Sequence, residues 1–170
     1  MDPNESVGAT STLSPAAPLI AAPSLARVVL LDDDDIIADT LGRLLPRTGR
    51  WSWCGWAGSY AEFHGLVLEH DPHLALIDLD LRVESGFDAI ERIAGEFPGV
   101  RSVVLSGYRR ADYARRALAA GARGYIDKDE SLTSIDALLL RALAGETVLS
   151  TRMMSEGQDS PLTGVGRAGG

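Results

Sequence analysis

The sequence predicts a doubly wound α/β domain, a five-stranded parallel sheet flanked by five helices, on three observations. Apolar runs of strand length recur and each stops at a polar residue: Arg27 to Leu31 before Asp32 and Asp33, His73 to Ile77 before Asp78, and Arg101 to Leu105 before Ser106. Unbroken runs suit strands buried on both faces, whereas half-solvated strands alternate. Segments with apolar residues at helical spacing separate the runs, and strands alternating with helices imply parallel pairing. With 170 residues, 45% of them hydrophobic, the chain has room for one buried core.

Taken in order, residues 1–25 are rich in Ala, Pro, Ser and Thr and hold few large apolar side chains, so they predict a disordered arm. The domain then spans residues 26–150. Its first strand is Arg27 to Leu31, and Asp32 to Asp35 make the turn and the first helical positions, where free amides favour negative charge. Ile36, Ile37, Leu41, Leu44 and Leu45 continue that helix to Pro46 or Gly49. Trp51 to Trp56 reads as the second strand, its tryptophans serving as core and partner-facing packing. Ser59 caps a helix that Asp71-Pro72 ends. After the third strand a loop reaches Gly86, and Phe87, Ile90, Ile93, Ala94 and Phe97 mark the next helix. The Ser106 strand, a helix from Ala111 to Ala120, a short strand Gly124 to Ile126 and a last helix with Leu132, Ile135, Leu138, Leu139, Ala142 and Leu143 inward complete the domain. Residues 151–170 predict a flexible tail.

Composition narrows the function classes. A single cysteine, Cys54, excludes an internal disulfide and a multi-cysteine metal site and fits a cytoplasmic protein. No stretch approaches the roughly 20 apolar residues of a membrane span. A formal charge of -8 argues against a broad nucleic-acid surface. His64, His70 and His73 form no cluster with ligand spacing.

In parallel sheets of this kind, ligands bind at the carboxyl ends of the strands. There the sequence brings together Asp32, Asp33, Asp78, Ser106 and, two residues past the fifth strand, Lys128. Carboxylates held together repel unless a cation shares the site. Magnesium suits such a site, since it takes one or two carboxylates and completes its octahedron with water and phosphate oxygens. A carboxylate, a hydroxyl and an ammonium beside that ion suit phosphoryl transfer, with Asp78 as nucleophile and Ser106 and Lys128 holding the non-metal oxygens.

The order Leu31-Asp32-Asp33, Leu76-Ile77-Asp78, Val104-Leu105-Ser106-Gly107 and Gly121 to Lys128 resembles the CheY-like receiver domain of two-component response regulators, over about Ala26 to Ser150. The four positions are separated by 45, 28 and 22 residues from Asp33 through Asp78 and Ser106 to Lys128. The resemblance implies a flavodoxin-like fold and Mg2+ held by Asp32, Asp33, Asp78 and the backbone carbonyl of Asp80. It further implies phosphorylation of Asp78 by a sensor histidine kinase or phosphotransfer protein, and a Ser106 and Tyr125 switch that alters a surface read by a downstream protein or a homodimer partner. Only the domain's own phosphorylation and dephosphorylation would be catalysed. Leu81-Arg82 and Ser85-Gly86 stand where the family usually has Met-Pro and Asp-Gly.

Ala119 to Ala122 and Arg141 to Glu146 resemble the receivers of LuxR-type regulators. Pro161-Leu162-Thr163 resembles the start of their helix-turn-helix. Seven residues follow Thr163, so the expectation is a receiver without DNA binding, the alternative being a LuxR-type transcriptional regulator truncated before its DNA-binding domain. Ala75 to Asp80 also resembles the first motif of haloacid-dehalogenase-type phosphatases, although the acid pair there lies downstream rather than upstream.

Overall fold

The computed structural model describes residues 25–150, so the arm expected before Ala26 and the tail expected from residue 151 lie, Leu25 aside, outside the described residues. The chain alternates β1 (Ala26–Leu31), α1 (Asp35–Leu44), β2 (Trp51–Ala57), α2 (Tyr60–His70), β3 (Leu74–Ile77), α3 (Gly86–Glu96), β4 (Arg101–Ser106), α4 (Ala111–Ala119), β5 (Gly124–Asp127), α5 (Leu132–Leu143) and β6 (Val148–Leu149). All neighbouring strands pair in parallel, in the order β2-β1-β3-β4-β5-β6. The first five follow the flavodoxin-like order, in which the chain reverses direction across the sheet between β1 and β3.

Local capping sets the start of α1 and both ends of α2. The Asp34 carboxylate accepts hydrogen bonds from the amides of Ile36 and Ile37 and so caps α1 within the acidic run. The Ser59 hydroxyl caps α2 through the Glu62 amide, and Asp71 closes it in the left-handed region at φ 44° before Pro72. Two apolar layers cover the sheet. Phe63, Val67, Ile90, Ile93 and Ala117 of α2, α3 and α4 pack on one face, and Leu41, Ile135 and Leu139 of α1 and α5 on the other. In α3 the inward small residue is Ala89 and not Ala94, which is exposed.

The sheet has six strands where five were expected. Val148–Leu149 adds beside Gly124 and Tyr125. Gly124 makes room for it, because a Cβ there would lie 2.3 Å from Val148 Cγ2. Two residues are too few for any periodicity to show, so the strand exists through its partner rather than through its own pattern. It carries the chain up to Ser150, whose hydroxyl accepts a 2.8 Å hydrogen bond from the Asp127 amide.

Candidate functional site

β1 and β3 are adjacent in the sheet, so the residues that follow them meet at the point where the chain reverses direction. The structure brings Asp32, Asp33 and Asp78 together there, with one carboxylate oxygen from each lying within 4.8 Å of the others. Asp32 is fully buried and Asp78 nearly so. Lys128, one residue past β5, reaches across β4 and places Nζ 2.8 Å from Asp32 Oδ2 and 3.0 Å from Asp78 Oδ2. The other oxygens are turned by backbone: the Asp34 amide donates to Asp32 Oδ1 at 2.9 Å, and the Leu79 amide to Asp78 Oδ1 at 2.8 Å.

Burial pushes the Asp32 carboxyl above its ordinary range, more than the Lys128 ammonium and the Asp34 amide pull it down. Burial also works against the Lys128 ammonium, but Asp32 and Asp78 outweigh it and hold its pKa above the usual value. Arg82 is the second cation here. Its Nε lies 3.0 Å from Asp33 Oδ2 and its amide donates to the same oxygen at 3.2 Å. Three carboxylates therefore face two side-chain cations. Asp32 Oδ2 is buried and takes its Lys128 ion pair without an aligned hydrogen bond. An oxygen cluster with excess negative charge fits a hard divalent cation.

The remaining expected residues surround this cluster. Ser106 ends β4, fully buried, and its hydroxyl accepts from the Tyr108 amide at 3.3 Å. Asp78, Asp80, Gly107, Tyr108 and Lys128 line an open cleft of about 300 Å³. The Asp80 side chain points to Tyr108, whose hydroxyl donates to it at 3.0 Å. Tyr125 is fully buried, and its hydroxyl donates to the Tyr108 carbonyl at 2.7 Å. Burial pushes its phenol up from the ordinary value.

Two features of the site were not foreseen. Arg109 bonds the buried carboxylate of Asp127 and also Asp129, which ties the loop after β4 to the end of β5. An acid at an otherwise apolar strand end, Asp127, was the available signal. Gly86 is the other. A Cβ on it would lie 2.1 Å from the Asp78 carbonyl oxygen and 2.6 Å from Leu79 Cα, so α3 can begin against the phosphoacceptor candidate's own backbone only with glycine there.

Residues 28–140 match the family model described as the response regulator receiver domain. The transcriptional regulatory protein MctR of Rhizobium johnstonii is 30% identical over 145 residues, covering 81% of this chain and 67% of MctR, so the chain spans about two thirds of that relative. A LuxR-family two-component response regulator from Aurantimonas sp. SI85-9A1 has a similar structure, with a TM-score of 0.73 at 26% identity over 78% of this chain and 95% of that one. A response regulator from Burkholderia pseudomallei, solved with a phosphorylated aspartic acid, a calcium ion and citrate, gives a TM-score of 0.61 at 27% identity over 78% of this chain and 71% of that one. With a parallel sheet in flavodoxin-like order, an acid cluster at the reversal point and a family match over most of its length, the chain belongs to the response regulator receiver family.

Proposed function

We propose that the chain receives a phosphoryl group on Asp78 from a phosphohistidine, with Mg2+ bound at Asp32, Asp33 and Asp78 and at the Asp80 carbonyl. The observation that carries this reading is the placement of Asp78 at the end of β3, 3.0 Å from the Lys128 ammonium and within the three-carboxylate cluster. The related Burkholderia protein, with its phosphorylated aspartic acid and calcium ion, supports it. A magnesium ion would supply charge neutralisation for the phosphoryl oxygens.

The chain's own residues do the rest. An Asp78 oxygen attacks phosphorus, the bond to the donor imidazole nitrogen breaks, and the released imidazole takes a proton. Lys128 balances charge as the transferred group arrives, which is worth most in a site this buried. Ser106 Oγ, at the adjacent strand end, binds a phosphoryl oxygen on the side away from the carboxylates. The donor is a sensor histidine kinase or phosphotransfer protein. The output is a change in the surface of α4, β5 and α5, read by a downstream protein, because Ser106 and Tyr125 both hold the loop that leads into α4.

Incubation with acetyl phosphate and Mg2+, followed by intact mass measurement, tests the reading. The expected result is one added phosphoryl group in the wild type and none in Asp78→Asn. No gain in the wild type, or an equal gain in the variant, refutes it, and steady turnover of a phosphate ester would favour the phosphatase instead.

A further inference from the structure

β2 carries three tryptophans, and a bulge decides where the third one faces. Trp51 and Trp53 lie opposite Ala26 and Val28 of β1, the register then shifts between Val28 and Val29, and Trp56 lies opposite Leu30. In a regular strand the odd step from Trp53 to Trp56 would turn the third indole to the other face, opposite Leu31. The extra residue, with Gly55 at φ 135°, returns it to the face that Val28 and Leu30 share with α1.

Trp51 is fully buried, Trp53 half-buried, and Trp56 is 42% exposed. Trp53 lies so close on α1 that a Cβ at Gly42 would come 3.0 Å from its Nε1. Beside them runs an open cleft of about 420 Å³, whose walls include Trp53, Trp56, Asp35, Asp39 and Arg43. Arg43 is engaged with Asp39 at 3.2 Å, which leaves Asp35 without an ion-pair partner among the described residues. β2 is also the outermost strand, so its far edge is unpaired within the described sheet. An exposed tryptophan on an open edge is otherwise an aggregation hazard, and here it stands next to carboxylates rather than lysines.

We propose that this edge is a docking site for a basic segment of a partner protein, which adds as a strand beside β2 and lays an arginine or lysine side chain along Trp53 and Trp56. The indole faces attract the cation, and Asp35 and Asp39 answer its charge. The chain's formal charge of -8 favours a basic partner over an acidic one. The site lies on β2 and α1 and does not depend on phosphorylation of Asp78.

The test uses the full chain and a blocked pentapeptide with a central arginine flanked by valines and threonines, together with its uncharged citrulline twin. The indole Nε1–H signals of Trp53 and Trp56 are followed by NMR. The arginine peptide should give saturable shifts at millimolar concentration, with the citrulline twin about tenfold weaker. Trp56→Ala should abolish the effect while leaving acetyl phosphate labelling unchanged, and Asp35→Asn with Asp39→Asn should weaken it without touching an indole. Equal binding of the two peptides, no indole shift, or binding that survives Trp56→Ala overturns the proposal. So do indole shifts that depend on protein concentration alone, which would assign the edge to a second copy of this chain.

Discussion

The Tyr125 hydroxyl donates a 2.7 Å hydrogen bond to the Tyr108 carbonyl, which ties the middle of β5 to the loop that follows Ser106. Tyr125→Phe keeps the buried ring and removes this bond, so stability should fall by about 1 kcal/mol, read by urea denaturation. The amides of residues 107–110 should exchange faster with solvent. Unchanged exchange there would show that Arg109 alone holds the loop.

Gly86→Ala should be among the most damaging single-methyl additions in the domain. The new Cβ meets backbone atoms of Asp78 and Leu79, which cannot rotate away as a side chain can. A loss of about 3 kcal/mol, at the upper end for overpacking, is expected in denaturant melts. Acetyl phosphate labelling should slow at the same time, because the atoms displaced belong to Asp78, the proposed phosphoacceptor, and to its neighbour Leu79.

Asp136 supplies an acid-dependent part of the stability. Burial alone would raise its carboxyl, but hydrogen bonds from Arg50 and from Trp51 Nε1, the latter at 2.6 Å, outweigh burial and hold it below the ordinary 3.8. A carboxyl depressed in the folded state stabilises above its unfolded pKa, and that stability is lost as pH falls through the folded value. Asp136→Asn should therefore cost about 2 kcal/mol near neutral pH, and the gap to wild type should narrow as pH drops below about 4. A gap that stays constant with pH would place the stabilisation in packing instead.

Lys128→Ala leaves Asp32 and Asp78 without their shared ammonium. Phosphorylation by acetyl phosphate should slow by roughly 10²- to 10³-fold, the usual cost of removing one pre-placed charge from a transition state. The time course of the intact mass reads it, and a rate within about threefold of wild type would remove Lys128 from the reaction.

Mg2+ should protect the wild-type fold against heat, by about 2.7 kcal/mol at a hundredfold excess over its Kd. Asp32→Asn should abolish that protection. It should also raise the stability of the metal-free protein, since burial pushes this carboxyl up and a raised carboxyl costs stability at neutral pH.

Much of this protein was written in local patterns. Buried strands need unbroken apolar runs, so Val28 to Leu31, Leu74 to Ile77 and Val103 to Leu105 marked the central sheet, and the polar residue ending each run marked the edge where the acid cluster lies. Caps at Ser59 and the stop at Asp71-Pro72 were equally readable, because capping is a matter of two to four neighbouring residues. The tertiary structure decided what depends on residues far apart in the chain. The two-residue β6 forms only because Gly124 leaves space for Val148. Asp136 lies on the inward face of α5 because Arg50 and Trp51, 86 and 85 positions away, satisfy it, and helical periodicity alone cannot show such a partner. Arg109 was one more cation in a basic stretch until the fold set it against the buried Asp127. The face of Trp56 likewise follows from one inserted residue in β2, whose effect appears only once β1 lies beside it. Apolar period and capping are set within a few residues, whereas charge pairing, register and close backbone approach are set by whichever segment the folded chain places opposite.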